Sequence, residues 1–141
     1  MASEVKVKLV EGTTGIAIAD GNAIVVDRSS QLGGTELGFK GGDLFLSSIG
    51  TCILTTLIGQ ARRKGVELTK VEFTLSGKSG GSPTRLTEIN IDAIVEGDAP
   101  DEVLQELTEF AENKCFISNT VKEGAPINLV RRSAAEPAIA D

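Results

Sequence analysis

The chain contains no histidine. Ser-His-Asp and Cys-His catalysis in their usual forms are therefore excluded, as is any metal site that needs an imidazole ligand. Tryptophan and tyrosine are also missing, and with only five phenylalanines there is little from which to build a base-stacking surface. Basic residues are in deficit, with 14 Lys and Arg against 20 Asp and Glu and a net charge of -6. Nucleic acid and anionic membranes are disfavoured as partners, because both recruit clustered cations. Cysteine is equally scarce. Two cysteines cannot complete a tetrahedral thiolate zinc site within one chain. In a reducing compartment they are not expected to form a structural staple either. Inert packing or redox chemistry is what remains for Cys52 and Cys115.

Met1-Ala2-Ser3-Glu4 lacks the basic patch and apolar run of a signal peptide, so a cytoplasmic location is expected. Only one long apolar stretch exists, Leu44 to Ile58, and Ser47, Ser48, Gly50, Thr51, Thr55 and Thr56 interrupt it. It falls short of the roughly 20 apolar residues that a bilayer demands, and reads as a buried helix of a soluble protein.

At 141 residues, 40% of them hydrophobic and 24% charged, the chain has the size and balance of one globular domain. That domain is placed at 1–132, and the small, polar stretch Ser133 to Asp141 reads as a mobile tail. The first third has the pattern of a β-meander. Val5, Val7 and Leu9 alternate with polar residues, a second strand runs through Ile16 and Ile18, and Asp20-Gly21-Asn22 is a hairpin turn before the return strand Ala23 to Asp27. Arg28 to Gly42 is glycine-rich and reads as a long functional loop. Within it, G-G-T-E-L-G-F-K from Gly33 to Lys40 narrowly misses the phosphate-cradling G-x-x-x-x-G-K-[ST]. Phe39 stands where the lysine belongs and Gly41 follows Lys40, so nucleotide binding is rejected.

The spacing then predicts a long helix from Gly42 to Lys64, with Asp43 in its first turn, Arg62, Arg63 and Lys64 in its last, and Gly65 as the stop. It is apolar nearly all round, so it belongs inside sheet or against a partner subunit. Strands through Val71, Phe73 and Leu75, and through Ile89, Ile91, Ala93 and Val95, are expected on either side of a turn region from Ser76 to Pro83. Asp98 is expected to cap a second helix with Pro100 in its first turn. That helix breaks at Asn113-Lys114-Cys115, a shorter one runs to Val121, and a last strand is expected from Ala125 to Val130.

A peroxide is cleaved when a thiolate attacks one of its oxygens, leaving a sulfenic acid that a second thiol condenses with. Cys52 and Cys115 are 63 residues apart, so only the fold can join them. Cys115 at a helix start gains from the dipole, whereas Cys52, mid-helix, needs activation from another segment.

Gly42-Asp43-Leu44-Phe45-Leu46-Ser47-Ser48-Ile49-Gly50-Thr51-Cys52, followed by Lys64-Gly65-Val66, resembles the central helix of the OsmC-like family, which includes the organic hydroperoxide resistance proteins. Asn113-Lys114-Cys115-Phe116-Ile117-Ser118-Asn119-Thr120-Val121 resembles its second signature. The resemblance spans roughly residues 4 to 131. It implies an α+β fold in which two β-sheets wrap long central helices in an intertwined homodimer, with active sites at the subunit interface. It also implies a thiol-dependent peroxidase for organic hydroperoxides, in some members hydrogen peroxide. Cys52 matches the attacking cysteine and Cys115 the resolving one of a Cys52–Cys115 disulfide. A dithiol or a lipoylated protein is the implied reductant, and no cofactor or metal is implied.

Two departures stand out. The family's activating arginine falls roughly where this chain has Thr13-Thr14, and no arginine precedes Arg28. The acidic partner is here Asp43, about 180° around an ideal helix from Cys52, so it could act only through a bridging cation. Arg28 and Lys40 are the candidates. The alternative function is a non-catalytic redox-sensing or hydrophobic-ligand-binding member of the family; persulfide chemistry on Cys52 is a third possibility.

Overall fold

The structure is a computed structural model, and it describes residues 4–135. Residues 1–3 and most of the tail expected at 133–141 lie outside that description. The architecture is α+β, with a three-stranded antiparallel sheet, a two-stranded antiparallel ribbon and three α-helices.

The meander comprises β1 (Lys6–Glu11), β2 (Thr14–Ala19) and β3 (Asn22–Val26), in the order β1-β2-β3. Asp20 and Gly21 form the two-residue loop between β2 and β3, with φ of 49° and 78°. Both values are positive, as the turn that matches strand twist requires. The glycine-rich loop that follows is organised rather than loose. A single turn of 3-10 helix spans Ser30–Leu32, and Phe39 bridges in parallel to Val26. Gly38 permits that bridge, since a Cβ there would lie 2.2 Å from the Val25 carbonyl oxygen.

Helix α1 (Gly41–Arg63) matches the predicted helix to within a residue. At its start the Asp43 carboxylate accepts the Lys40 N–H at 3.2 Å, the reach-back half of a capping box. Lys40 has no lone pair to supply the other half. At its end, Val66 N–H donates to Ala61 O at 2.9 Å and Gly65 N–H to Arg62 O at 3.2 Å, with Gly65 at φ 67°. This is the paired closure that a left-handed glycine makes possible.

The ribbon pairs β4 (Leu68–Gly80) with β5 (Arg85–Gly97), placing Val71 opposite Val95 and Leu75 opposite Ile91. The turn region expected from Ser76 to Pro83 is shorter than read. Ser76 to Gly80 stay in β4, because each has a partner in β5 between Asn90 and Arg85.

Helices α2 (Asp101–Asn113) and α3 (Phe116–Glu123) complete the chain. Asp98 does not cap α2. Pro100 occupies that position, its carbonyl accepting from Val103 and Leu104, while the Asp98 carboxylate accepts the Glu67 N–H at 2.7 Å and ties the start of β4 to the end of β5. The last strand expected at Ala125 to Val130 does not form. These residues run as exposed, unpaired chain, with Ile127 at 95% and Leu129 at 93% exposure. Alternation alone makes no strand where no sheet edge is offered to it.

The core lies between one stripe of α1 and one face of the ribbon. Ile49, Ile53, Leu57 and Ala61 recur every four residues along α1 and are buried with Leu107, Ala111 and Cys115. Val71, Phe73, Leu75, Ile89 and Ile91 close over them. By length and composition α1 could span a bilayer, but this stripe is committed to packing. Leu44, Phe45, Leu46 and Leu54 on its other faces are only partly covered by their own chain.

Candidate functional site: two thiols at one helix end

Cys52 projects from the middle of α1 beside the buried stripe, three residues after Ile49. Cys115 is the N-cap of α3, completely buried, with its sulfur accepting the Ser118 N–H at 3.2 Å. The first N–H groups of any helix lack intrahelical partners and attract electron-rich atoms. Here they face both sulfurs. The N–H groups of Phe116 and Ile117 act on Cys52, and those of Ile117 and Ser118 on Cys115. Each thiol shifts the titration of the other, so the two sulfurs lie within range to interact. Both are free cysteines.

The pair is asymmetric. Burial pushes the Cys52 thiol up, its hydrogen bond to Cys115 and the charge there push it further, and the two helix amides offset only part. For Cys115 burial also opposes charge. The Cys52 thiol, the N–H and hydroxyl of Ser118 and the Ile117 N–H outweigh it, so this thiol is held below its ordinary value. The Ile49 carbonyl oxygen, 4.0 Å from the Cys115 sulfur, is a weak acceptor for a thiol proton. Of the two, Cys115 is therefore the more readily ionised thiol. Cys52 is half-buried, whereas Cys115 is sealed by its own chain.

The structure brings together the two expected cysteines but not the expected supporting residues. Arg28 is exposed. Its main chain binds Asp27 and Glu36, and its guanidinium makes no hydrogen bond or ion pair among the described residues. Asp43 is exposed at the start of α1, paired with Lys40 at 3.5 Å. None of the three is among the groups that shift either thiol. Missed from sequence were Phe116, Ile117 and Ser118. The helix start at Cys115 was legible, but backbone N–H groups carry no residue signature that would show Cys52 beside them. Also missed was Asp27, buried at the end of the meander. Its carboxylate accepts the hydroxyls of Thr13 at 2.6 Å, Thr14 at 2.9 Å and Thr35, and the Arg28 N–H at 2.7 Å. The hydrogen bonds from Thr13 and Thr35, against some burial and helped by those from Arg28 N–H and Thr14, hold it well below the usual carboxylate range. Thr13 and Thr14, where the family resemblance placed an arginine, thus pin the first hairpin to the glycine-rich loop.

Two cavities flank the site. One of about 380 Å³ has Ile49 and Ser118 in its wall, beside Ile89, Ile91 and Val121, with Glu112 and Lys122 among its polar lining. The other, about 330 Å³, lies against Ile53, Phe73 and Asn113. Among the described residues no three or more His, Cys, Asp or Glu side chains gather as a metal ion would require.

A buried helical stripe under a long ribbon, with two thiols meeting at a helix N-terminus, defines a two-cysteine α+β protein. The profile of the family described as OsmC-like protein matches residues 33–130, and the chain belongs to that family. Solved structures agree on the fold. An OsmC-like protein from Mycoplasma pneumoniae superposes with a TM-score of 0.76 at 24% identity, covering 86% of this chain and 88% of its own. An organic hydroperoxide resistance protein OsmC from Legionella pneumophila gives 0.67 at 20% identity, covering 86% and 90%. The organic hydroperoxide resistance protein OhrB of Bacillus subtilis gives 0.61 at 20%, covering 86% and 91%. No match was found among curated proteins.

Proposed function

We propose that the protein is a thiol-dependent peroxidase that reduces organic hydroperoxides. A role in peroxide resistance or redox chemistry in general follows from the family and its structural neighbours. One observation carries the finer reading: two thiols that act on each other at the N-terminus of α3, where Ser118 N–H donates to the Cys115 sulfur at 3.2 Å. Cys52, the more accessible sulfur, passes its proton to Cys115 and attacks the peroxide as a thiolate. An S–O bond forms, the O–O bond breaks, and the alkoxide takes the proton held by Cys115 and leaves as the alcohol. The Cys115 thiolate then condenses with the Cys52 sulfenic acid, releasing hydroxide that takes up a proton as water and closing the disulfide. An external dithiol, free or lipoyl-borne, restores both thiols. No metal or prosthetic group takes part, and the reducing cytoplasm is the expected setting.

The working unit is a homodimer. Supporting it are the bare apolar surfaces of one chain, among them Leu9 at 75% exposure and the unpaired segment with Ile127 and Leu129. A second copy is the natural cover for apolar area of this extent.

Mass spectrometry after one equivalent of cumene hydroperoxide tests the mechanism. The expected product is an intrachain Cys52–Cys115 disulfide, with Cys115→Ser stopping at a Cys52 sulfenic acid and Cys52→Ser leaving peroxide unconsumed. Peroxide consumption by Cys52→Ser at the wild-type rate would sink the proposal. A second reading, a non-catalytic redox-sensing or hydrophobic-ligand-binding member, is favoured by one fact: Cys52 is shifted up and no cation acts on it. Its signature is a protein that does not turn over the hydroperoxide in the presence of excess dithiol.

A further inference from the structure

The asymmetry of the pair gives the reductive half of the cycle a direction. We propose that an incoming dithiol attacks the Cys52 sulfur of the disulfide and that Cys115 departs as the thiolate, with Ser118 as the residue that positions and receives it. This rests on the disulfide-forming reading above.

In thiol–disulfide exchange the sulfur that is attacked keeps the incoming group, and the better-stabilised thiolate leaves. Three observations assign these roles here. Cys115 caps α3, and Ser118 N–H lies 3.2 Å from its sulfur, so the anion released there meets a waiting donor. Ser118 is itself buried, at 6% exposure, so water does not compete for the role. Access points the same way. Cys115 has 0% exposure, closed off by atoms of its own chain. Assembly with another copy can cover Cys115 further but cannot uncover it. Cys52, half-buried on α1, is the sulfur that an external thiolate can reach.

The steps balance. A dithiol thiolate forms an S–S bond to Cys52 as the Cys52–Cys115 bond breaks, and the electron pair leaves on the Cys115 sulfur. The second thiol of the same reductant, as its thiolate, attacks the reductant's own sulfur in the mixed disulfide and expels Cys52, which takes up a proton. The reductant departs as its cyclic disulfide, having given up two electrons. Ser118 does not touch the reductant, so it is a positioning residue rather than a catalytic one.

The test starts from full-length protein oxidised with diamide, with the intrachain disulfide verified by mass. If no such disulfide forms, the disulfide-forming reading has failed, and this proposal with it. The disulfide form is mixed with excess glutathione, quenched in acid within seconds, alkylated and mapped by peptide mass spectrometry. The expected result is glutathione on Cys52 and the alkyl tag on Cys115. Glutathione on Cys115 overturns the assignment. Ser118→Ala is expected to slow reduction by dithiothreitol several-fold and, in a Cys52→Ser background, to raise the midpoint of the Cys115 thiolate followed by its ultraviolet absorbance, with Ser118→Thr restoring part of both. A variant that reduces at the wild-type rate with an unmoved pH profile removes Ser118 from the mechanism.

Discussion

Consider a Cys115→Ser variant, in which the titration of Cys52 is the quantity to follow. Cys115 raises the Cys52 thiol in two ways, by accepting its proton in a hydrogen bond and by the repulsion of its own charge. Serine removes the charge, and its hydroxyl can donate to a Cys52 thiolate as well as accept from the thiol. It leaves intact the Phe116 and Ile117 N–H groups that favour a Cys52 thiolate, and as a strong N-cap it keeps α3 in place. Burial of Cys52 continues to oppose charge, so the net movement is downward. For each pH unit by which the midpoint falls, the thiolate fraction near pH 7 rises about tenfold. The weaker basicity of the thiolate takes back about threefold, leaving a net gain of about threefold in alkylation rate. Iodoacetamide rates measured from about pH 5 to pH 10, with the modified residue identified by mass, read both quantities. Losing its partner should therefore make Cys52 more reactive. A midpoint at or above that of the wild type would refute the ordering of the two thiols on which the pair's chemistry is built.

Two further outcomes test the fold and its electrostatics. Leu57 is wholly buried at the centre of the α1 stripe. Leu57→Ala should cost about 2–5 kcal/mol, or roughly 6–15 °C in Tm at about 3 °C per kcal/mol, in calorimetry; a loss under about 1 kcal/mol would remove that stripe from the core. Asp27 is depressed in the folded state by its Thr13 and Thr35 hydrogen bonds. Its stabilisation is complete above the ordinary carboxylate range and disappears as pH falls below about 4. Thermal melts from pH 7 down to 2 should show a steeper acid decline for the wild type than for Asp27→Asn, and equal slopes would show that the threonine cluster carries no linkage.

Much of the architecture could be read from residue order because it depends on neighbours in the chain. Helix α1 announces itself through its apolar run, Asp43 in its first turn and Gly65 at its end, and all three act locally. Asp98 misled because Asp-Ala-Pro is a helix-start pattern, yet its carboxylate is committed to Glu67, 31 residues away. Ala125 to Val130 misled for a related reason. A strand is half of a pair, and the other half is not written in the segment itself. At the site, the cysteines were legible as residue types. Their meeting was not, because it requires α1, α2 and α3 to dock first. The Asp27 cluster was hidden in the same way, its donors drawn from Thr13 and Thr14 at the first hairpin and from Thr35 in the glycine-rich loop.

The position of Cys115 as a cap gives a redox event a mechanical outlet. Closing a bond to Cys52 converts the ionisable sulfur that anchors the opening turn of α3 into half of a neutral disulfide, and the grip on Ser118 slackens. Ser118 also forms part of the wall of the 380 Å³ hollow, so occupancy of that space and the electron count of the pair share a residue. A small molecule that favours the reduced shape of the wall raises the midpoint potential of the couple, and reduction tightens that molecule's hold by the same factor.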